Sequence, residues 1–279
     1  MAELGAAALA STLAQLQANA RGTRRDRGPD FAHQLRVGAR RARVVLRLWQ
    51  KRIGKARART LREELRWVFR VVGTVRDYDV LLARVIEPLT SDEVDPELEL
   101  LAGELTRQRK RAQRSVKEAL RSVRFEELQQ ALSQLADELG KQPEAKRARK
   151  WLARKLDLQR EHVLSLRDAL VSGDEPALHT LRKQLKSLRY AAELGRGLWR
   201  KKRVDHYLAQ MKALQDALGG LNDAATGRAL LAQARATTPG DLLAALALCE
   251  ATLASEVLSL LPGLVPRFAT FEDSEPFWH

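Results

Sequence analysis

One ungapped offset of 146 residues lays a stretch of this chain onto another, and few features restrict a fold more strongly. His33-Gln34-Leu35-Arg36 recurs as His179-Thr180-Leu181-Arg182. The same shift carries Arg40 to Lys186, Arg43 to Arg189, Gly73 to Gly219, Val75 to Leu221 and Asp77 to Asp223. A basic segment and a distant Gly-x-x-x-Asp turn thus each occur twice. The pattern predicts two homologous halves, residues 1–140 and 141–279, packed about a pseudo-two-fold axis.

Each half reads as helix throughout. Leu35, Ala39, Ala42, Leu46, Trp49 and Ile53 recur at three- and four-residue steps, as do Leu181, Leu185, Leu188, Ala192 and Trp199. No segment alternates in the manner of a strand. Breaks are expected at Arg27-Gly28-Pro29, Glu87-Pro88, Asp95-Pro96, Gly140 to Pro143, Ser172 to Pro176, Gly219-Gly220, Thr237 to Gly240 and Leu261 to Pro266. The expected fold class is all-α, with about eight to ten helices in bundle architecture.

Charge is unevenly placed along this frame. The chain carries +14 overall, but residues 21–214 hold 46 basic and 26 acidic residues, while residues 215–279 hold three Arg against eight acids. Arg outnumbers Lys by 36 to 13, which favours planar, bidentate recognition of phosphate oxygens. The single cysteine, Cys249, excludes an intrachain disulfide and a Cys-based zinc site. No apolar run is read as approaching a membrane span of roughly 18–20 residues, and Met1 to Ala20 reads as a helix rather than a signal peptide. A cytoplasmic protein without a membrane partner is the expectation.

On a helical wheel His33, Arg36, Arg40, Arg43 and Arg47 fall within about 80° of one another, opposite Leu35, Ala42, Leu46 and Trp49. His179, Arg182, Lys186 and Arg189 repeat the stripe, with Glu193 interrupting it. A third stripe, Arg107, Lys110, Arg114, Lys117 and Arg121, is a candidate for further contacts, and a shorter one runs Arg147, Lys150, Arg154. A single stripe is most simply a solvated bundle face. Several are harder to explain that way, because like charges one turn apart destabilise a helix. Between Asp30 and Glu63 eleven Lys or Arg occur without one acid. A polyanionic partner supplies the missing charge.

The stripes lack aromatic platforms apart from Tyr190, so a ligand that is all backbone, such as inorganic polyphosphate, fits better than a base-read nucleic acid. Sequence-independent nucleic-acid binding uses the same electrostatics and stays open, with heparin-like polymers a weaker option. His33 and His179 each lie near an expected helix start, where backbone N–H groups favour an anion. A phosphate contact, strengthened by protonation of the imidazole, is the reading for both.

His33-x-x-Arg36-x-x-x-Arg40-Arg41-x-Arg43 and His179-x-x-Arg182-Lys183-x-x-Lys186-x-x-Arg189-Tyr190, each followed by Gly-x-x-x-Asp, resemble the CHAD domain (conserved histidine α-helical domain) over roughly residues 5–275. The resemblance implies two antiparallel helical bundles related by a pseudo-dyad, with a basic groove or channel between them that binds inorganic polyphosphate. It also implies association with polyphosphate granules. Carried over residue by residue, His33, Arg36, Arg40, Arg43, His179, Arg182, Lys183, Lys186 and Arg189 would line that site; Arg41 and Arg47 are added from position alone. The Gly73–Asp77 and Gly219–Asp223 segments are read as helix ends whose Asp orients a nearby Arg.

An enzyme is not expected, and no catalytic residue, metal ligand or cofactor is assigned. Asp77 and Asp79 would diverge by about 200° on a helix, and Ala225 stands where a second-half copy of Asp79 would be. Hydrolysis of polyphosphate or a triphosphate, or an accessory role in it, is the remaining alternative. The C-terminal Phe277 and Trp278 are read as packing on the bundle.

Overall fold

The computed structural model describes residues 1–92, 95–141, 148–236 and 242–279, so Arg147 and the expected break at Thr237 to Gly240 lie outside the described residues. The fold is all-α. In the first half α1 (Ala2–Arg24), α2 (Pro29–Leu48) and the short α3 (Gln50–Ile53) lead into α4 (Lys55–Leu81). A π-helical turn, Leu82–Ile86, runs on into α5 (Glu87–Asp92), and α6 (Pro96–Ala119) and α7 (Val123–Gly140) follow. The second half has α8 (Ala148–Leu164), the short α9 (Asp168–Ser172), α10 (Glu175–Leu194), α11 (Lys201–Arg235), α12 (Leu243–Leu260) and α13 (Leu264–Glu272).

The helix starts follow local chemistry. Asp95 caps α6 by accepting from the N–H of Glu97 at 2.8 Å, with Pro96 in the first turn. Asp174 caps α10, accepting from Ala177 N–H at 3.0 Å, after Gly173 has turned the chain at φ 63°. At α2 the cap is Gly28, at φ 145°, no side chain bonds the first turn, and Pro29 opens the helix.

Two expected breaks are corrected. Pro88 does not end a helix, because the chain widens into the π turn just before it, where Glu87 N–H reaches back to Leu82 O. Gly219-Gly220 lies inside the 35-residue α11. A Cβ on Gly220 would come within 2.6 Å of Leu260 Cδ1, so this glycine admits α12 rather than turning the chain.

Helix packing links the halves rank by rank. Within the first, α2 lies on α1 and α4, and α6 on α4; within the second, α10 lies on α8 and α11, and α12 on α11. Across the halves, α2 touches α10, α4 touches α11, and α6 touches α12. The larger core takes Leu16, Leu35, Leu46 and Leu65 together with Leu181, Leu185, Tyr207 and Phe268. A smaller one joins Tyr78, Leu81, Leu101 and Leu105 to Ala224, Leu231, Leu246 and Cys249. Each buried Leu or Phe among them contributes roughly 1.5–3 kcal/mol, and both cores draw on both halves.

The reading of membrane-span length needs correction as well. The stretch Leu243–Glu272 is long and apolar enough to cross a membrane by length and composition. Part of that apolarity has a local cause, since Ala245, Leu246, Cys249 and Leu253 enter the smaller core.

Candidate functional site

With Leu35, Ala39, Ala42 and Leu46 in the core, α2 must carry Arg36, Arg40, Arg43 and Arg47 on its other face. Leu181, Leu185 and Leu188 orient α10 in the same way. Arg36 Nη1 donates to Asp77 Oδ1 at 3.0 Å, and Arg182 Nη2 lies 3.9 Å from Asp223 Oδ1. The two pairs occupy matching positions of the repeat.

The Gly-x-x-x-Asp segments are not helix ends. Both sit within long helices, where residues four apart share a face. Gly73 lies against the guanidinium, where an added Cβ would make ordinary van der Waals contact with Arg36 Cζ at 3.6 Å, and Asp77 one turn later receives its N–H. The expectation that Asp77 orients an Arg holds; the helix-end geometry does not.

Where α2 meets α10, Arg41 Nη2 donates to Glu193 Oε2 at 2.7 Å and Arg47 bonds Ser187 Oγ. The repeat exchanges these pairs, because Ser187 matches Arg41 and Glu193 matches Arg47. Phe69 on α4 lies beneath both Arg36 and Arg40, with its ring centroid 4.4 and 4.9 Å from the two guanidinium carbons. Arg40 Nη1 also reaches Tyr190 OH at 3.4 Å.

The result is a half-buried cationic cluster of Arg36, Arg40, Arg182 and Lys186. Burial, then the charges of Arg182, Arg40 and Arg36, push the Lys186 ammonium down to about 6, against the opposing pull of Asp223. Burial and Arg40 lower Arg182 to about 10. His33 is lowered by desolvation and by Arg76, Arg36, Lys186 and Arg40. His179 is lowered by desolvation and Lys183, while its hydrogen bond to Asn222 opposes the shift. At that bond, His179 Nδ1–H donates to Asn222 Oδ1 at 2.8 Å, which leaves Nε2 for a ligand. Two carboxylates, Asp77 and Asp223, face this concentration of cations, and Asp223 is shared with Arg84 at 3.5 Å. An anion entering here would relieve repulsion as well as form bonds.

Not every expected site residue joins that cluster. Arg43 and Arg47 continue from it along α2. Arg43 is lowered to about 10 by burial, Arg66, Arg62 and Arg40. Arg189 instead donates to Glu193 Oε1 and Gln215 Oε1, both at 2.9 Å. With Arg41 it lines a separate cavity of about 590 Å³ that also contains Glu193 and Asp205. Lys183 is exposed beside His179. Arg107, Lys110, Arg114 and Lys117 are exposed on α6, and Arg121 just beyond it; Arg107 pairs with Glu104 at 2.8 Å and Arg121 faces Arg25. Asp79 turns away from Asp77 as expected and accepts from Arg109 Nε at 2.9 Å.

Sequence reasoning missed Arg62, Arg66, Phe69 and Arg76 on α4 and Asn222 on α11. A signal existed. Counted back from Gly73, Phe69, Arg66 and Arg62 step by four, three and four, the same face that carries the Gly-x-x-x-Asp pair.

Helices from both halves thus define an all-helical protein with a shared, under-compensated cationic centre. Residues 7–232 match the family model of the CHAD domain, and the chain belongs to that family. It is 30% identical over 226 residues to uncharacterized proteins of Mycobacterium tuberculosis from two strains, an alignment covering 73% of this chain. The match covers only 40% of those relatives, which are much longer. The crystal structure of the CHAD domain from the plant Ricinus communis superimposes with a TM-score of 0.86 at 24% identity, over 99% of this chain and 92% of that one. PptA from Streptomyces chartreusis gives 0.73 at 21% identity, over 96% and 99%. At these identities the two structures share the fold.

Proposed function

We propose that this chain binds inorganic polyphosphate without catalysis, at the meeting of α2 and α10. The observation that carries the reading is the convergence of Arg36, Arg40, Arg182 and Lys186, from helices of both halves, around two carboxylates. Arg forks pair with successive phosphates, and the halves grip one chain from both sides. His33 and Nε2 of His179 donate to phosphate once their imidazoles are protonated. The non-catalytic reading draws support from the carboxylates, since Asp77 and Asp223 are held by Arg36, Arg84 and Arg182. A cytoplasmic setting, with granule association, belongs to the same proposal.

The test is a titration with long-chain polyphosphate at roughly physiological salt, with orthophosphate and duplex DNA as competitors. Tight binding that resists DNA is expected; equal binding of DNA would favour the nucleic-acid reading. Reversing Arg36 and Arg182 together (R36E/R182E) should weaken polyphosphate binding by about 100-fold or more with helicity intact, given roughly 1.5–3 kcal/mol for each charged hydrogen bond. Unchanged affinity would sink the assignment. Phosphate release with added Mg²⁺ would overturn the non-catalytic part.

A further inference from the structure

The cationic cluster has two exits, one along each half, and they differ. Along the first half, Arg40 leads to Arg43 and Arg47 on α2, faced by Arg62 and Arg66 on α4, which packs against α2. Arg43 and Arg62 make no ion pair among the described residues, and Arg43 Nε is buried without a hydrogen-bond partner. The acid at hand, Glu63, pairs with Arg66 at 2.7 Å. Shifted by the repeat, the same four positions on the second half hold Arg189, Glu193, Leu208 and Lys212. There Glu193 takes Arg189 and Arg41, and Lys212 pairs with Asp216.

We propose that Arg62 and Arg66, with Arg43 and Arg47, form a second phosphate subsite, so that a condensed phosphate chain leaves the central cluster along the first half only. The inference rests on the polyphosphate reading of that cluster. Its geometry is continuous: Arg40 to Arg47 covers seven residues, roughly 10 Å of helix. Arg62 and Arg66 lie one turn apart on the face of α4 that also carries Phe69, the ring beneath Arg40. A phosphate there would take N–H groups of Arg43 and Arg62, which make no ion pair among the described residues, and would compete with Glu63 for Arg66 and with Ser187 for Arg47. On the second half Glu193 already occupies the equivalent place and repels one. Burial and mutual repulsion at Arg43 point the same way.

Pyrophosphate, too short to span both subsites, and long-chain polyphosphate separate the alternatives when titrated against wild type and R62Q/R66Q. The double variant is expected to lose about tenfold or more in affinity for the long chain, with a shallower salt dependence, and to bind pyrophosphate within about twofold of wild type. R62K/R66K, which keeps both charges, should recover most of the lost affinity and controls for folding. E193Q, which opens the closed exit, should raise long-chain affinity severalfold. Wild type that binds neither phosphate would remove the central reading itself. Wild type that binds both, with R62Q/R66Q unchanged on the long chain, overturns the subsite alone. An E193Q variant that gains nothing overturns the one-sided path.

Discussion

Beside His33 the first half places Arg76; at the matching position beside His179 the second half places Asn222. One neighbour repels the protonated imidazole, and the other fixes its tautomer. Arg47 and Glu193 differ in sign, and Arg40 and Lys186 in how firmly each holds its proton. The helix frame is repeated closely: α2 and α10 are both 20 residues long and start 146 positions apart. The charges mounted on it are not. Helix packing needs only the apolar face, which both helices keep, so the other face can differ in charge. On the polyphosphate reading, the two halves therefore contribute unequally to binding.

The halves also close their bundles differently. The first uses α7, with Phe125, Leu128, Leu132, Leu135 and Leu139 buried. The second has the nine-residue α13 and then an extended tail that inserts Phe277 and Trp278. Phe277 meets Trp199 and Tyr207 edge-on at 5.3 and 5.6 Å, and Trp278 Nε1 donates to Asp157 at 2.6 Å. If the tail replaces a missing length of helix, F277A should cost about 3–5 kcal/mol, as for other fully buried aromatics. Chemical denaturation would read this directly. A loss below about 1 kcal/mol would mean that the tail merely rests on the surface.

Lys186 against Arg40 sets up the next test. In the free protein the Lys186 ammonium is pushed down to about 6, so it gives up its proton far more readily than an ordinary lysine. A bound polyanion favours the charged form, so binding takes up a proton. Affinity for polyphosphate should therefore fall as pH rises, by up to about tenfold per unit between pH 7 and 8. K186R makes the two halves alike at this position and should flatten that slope while keeping binding, since Arg holds its proton throughout. The stability of the free protein carries the opposite sign. Its unfolded chain binds more protons at Lys186 between about pH 6 and the ordinary lysine value of 10.5, so the lysine's contribution improves as pH rises through that window. A K186R variant with wild-type pH dependence would assign the linkage to the histidines instead.

How much of this was legible in the sequence depended on whether the signal was local. The helix carrying Arg36 and the one carrying Arg182 could be read, stripe and core face alike, because a period of 3.6 is written into neighbouring residues. The partnership of Arg36 with Asp77 could be anticipated from the repeated pair, though not its setting inside a helix. The shared face of Arg62, Arg66 and Gly73 was written in the sequence too, but their approach to Arg43 and Arg47 depends on how α4 lies against α2. Glu193 was visible as an interruption of a stripe; that it neutralises Arg41 from the other half follows only from where α2 and α10 meet. Gly219-Gly220 misled for a related reason. Two glycines in succession are the usual mark of a turn, and only the neighbouring helix reveals that one of them makes room for packing.

Those two glycines provide the finest comparison, since they are adjacent on α11 and have opposite surroundings. Gly220 approaches Leu260, and a methyl group would have to displace that side chain or separate α11 from α12. G220A is expected to destabilise by about 1–3 kcal/mol, the usual range for overpacking. Gly219 matches Gly73, but a Cβ added to it meets nothing within 4 Å, whereas at Gly73 it would meet the Arg36 guanidinium. With no clash to offset it, G219A should stabilise by about 0.5–1 kcal/mol, the helix-interior advantage of Ala over Gly. Opposite signs at adjacent positions in thermal or urea unfolding would tie the paired glycine to close helix packing. Destabilisation by G219A would instead show that this glycine keeps space that a Cβ would close.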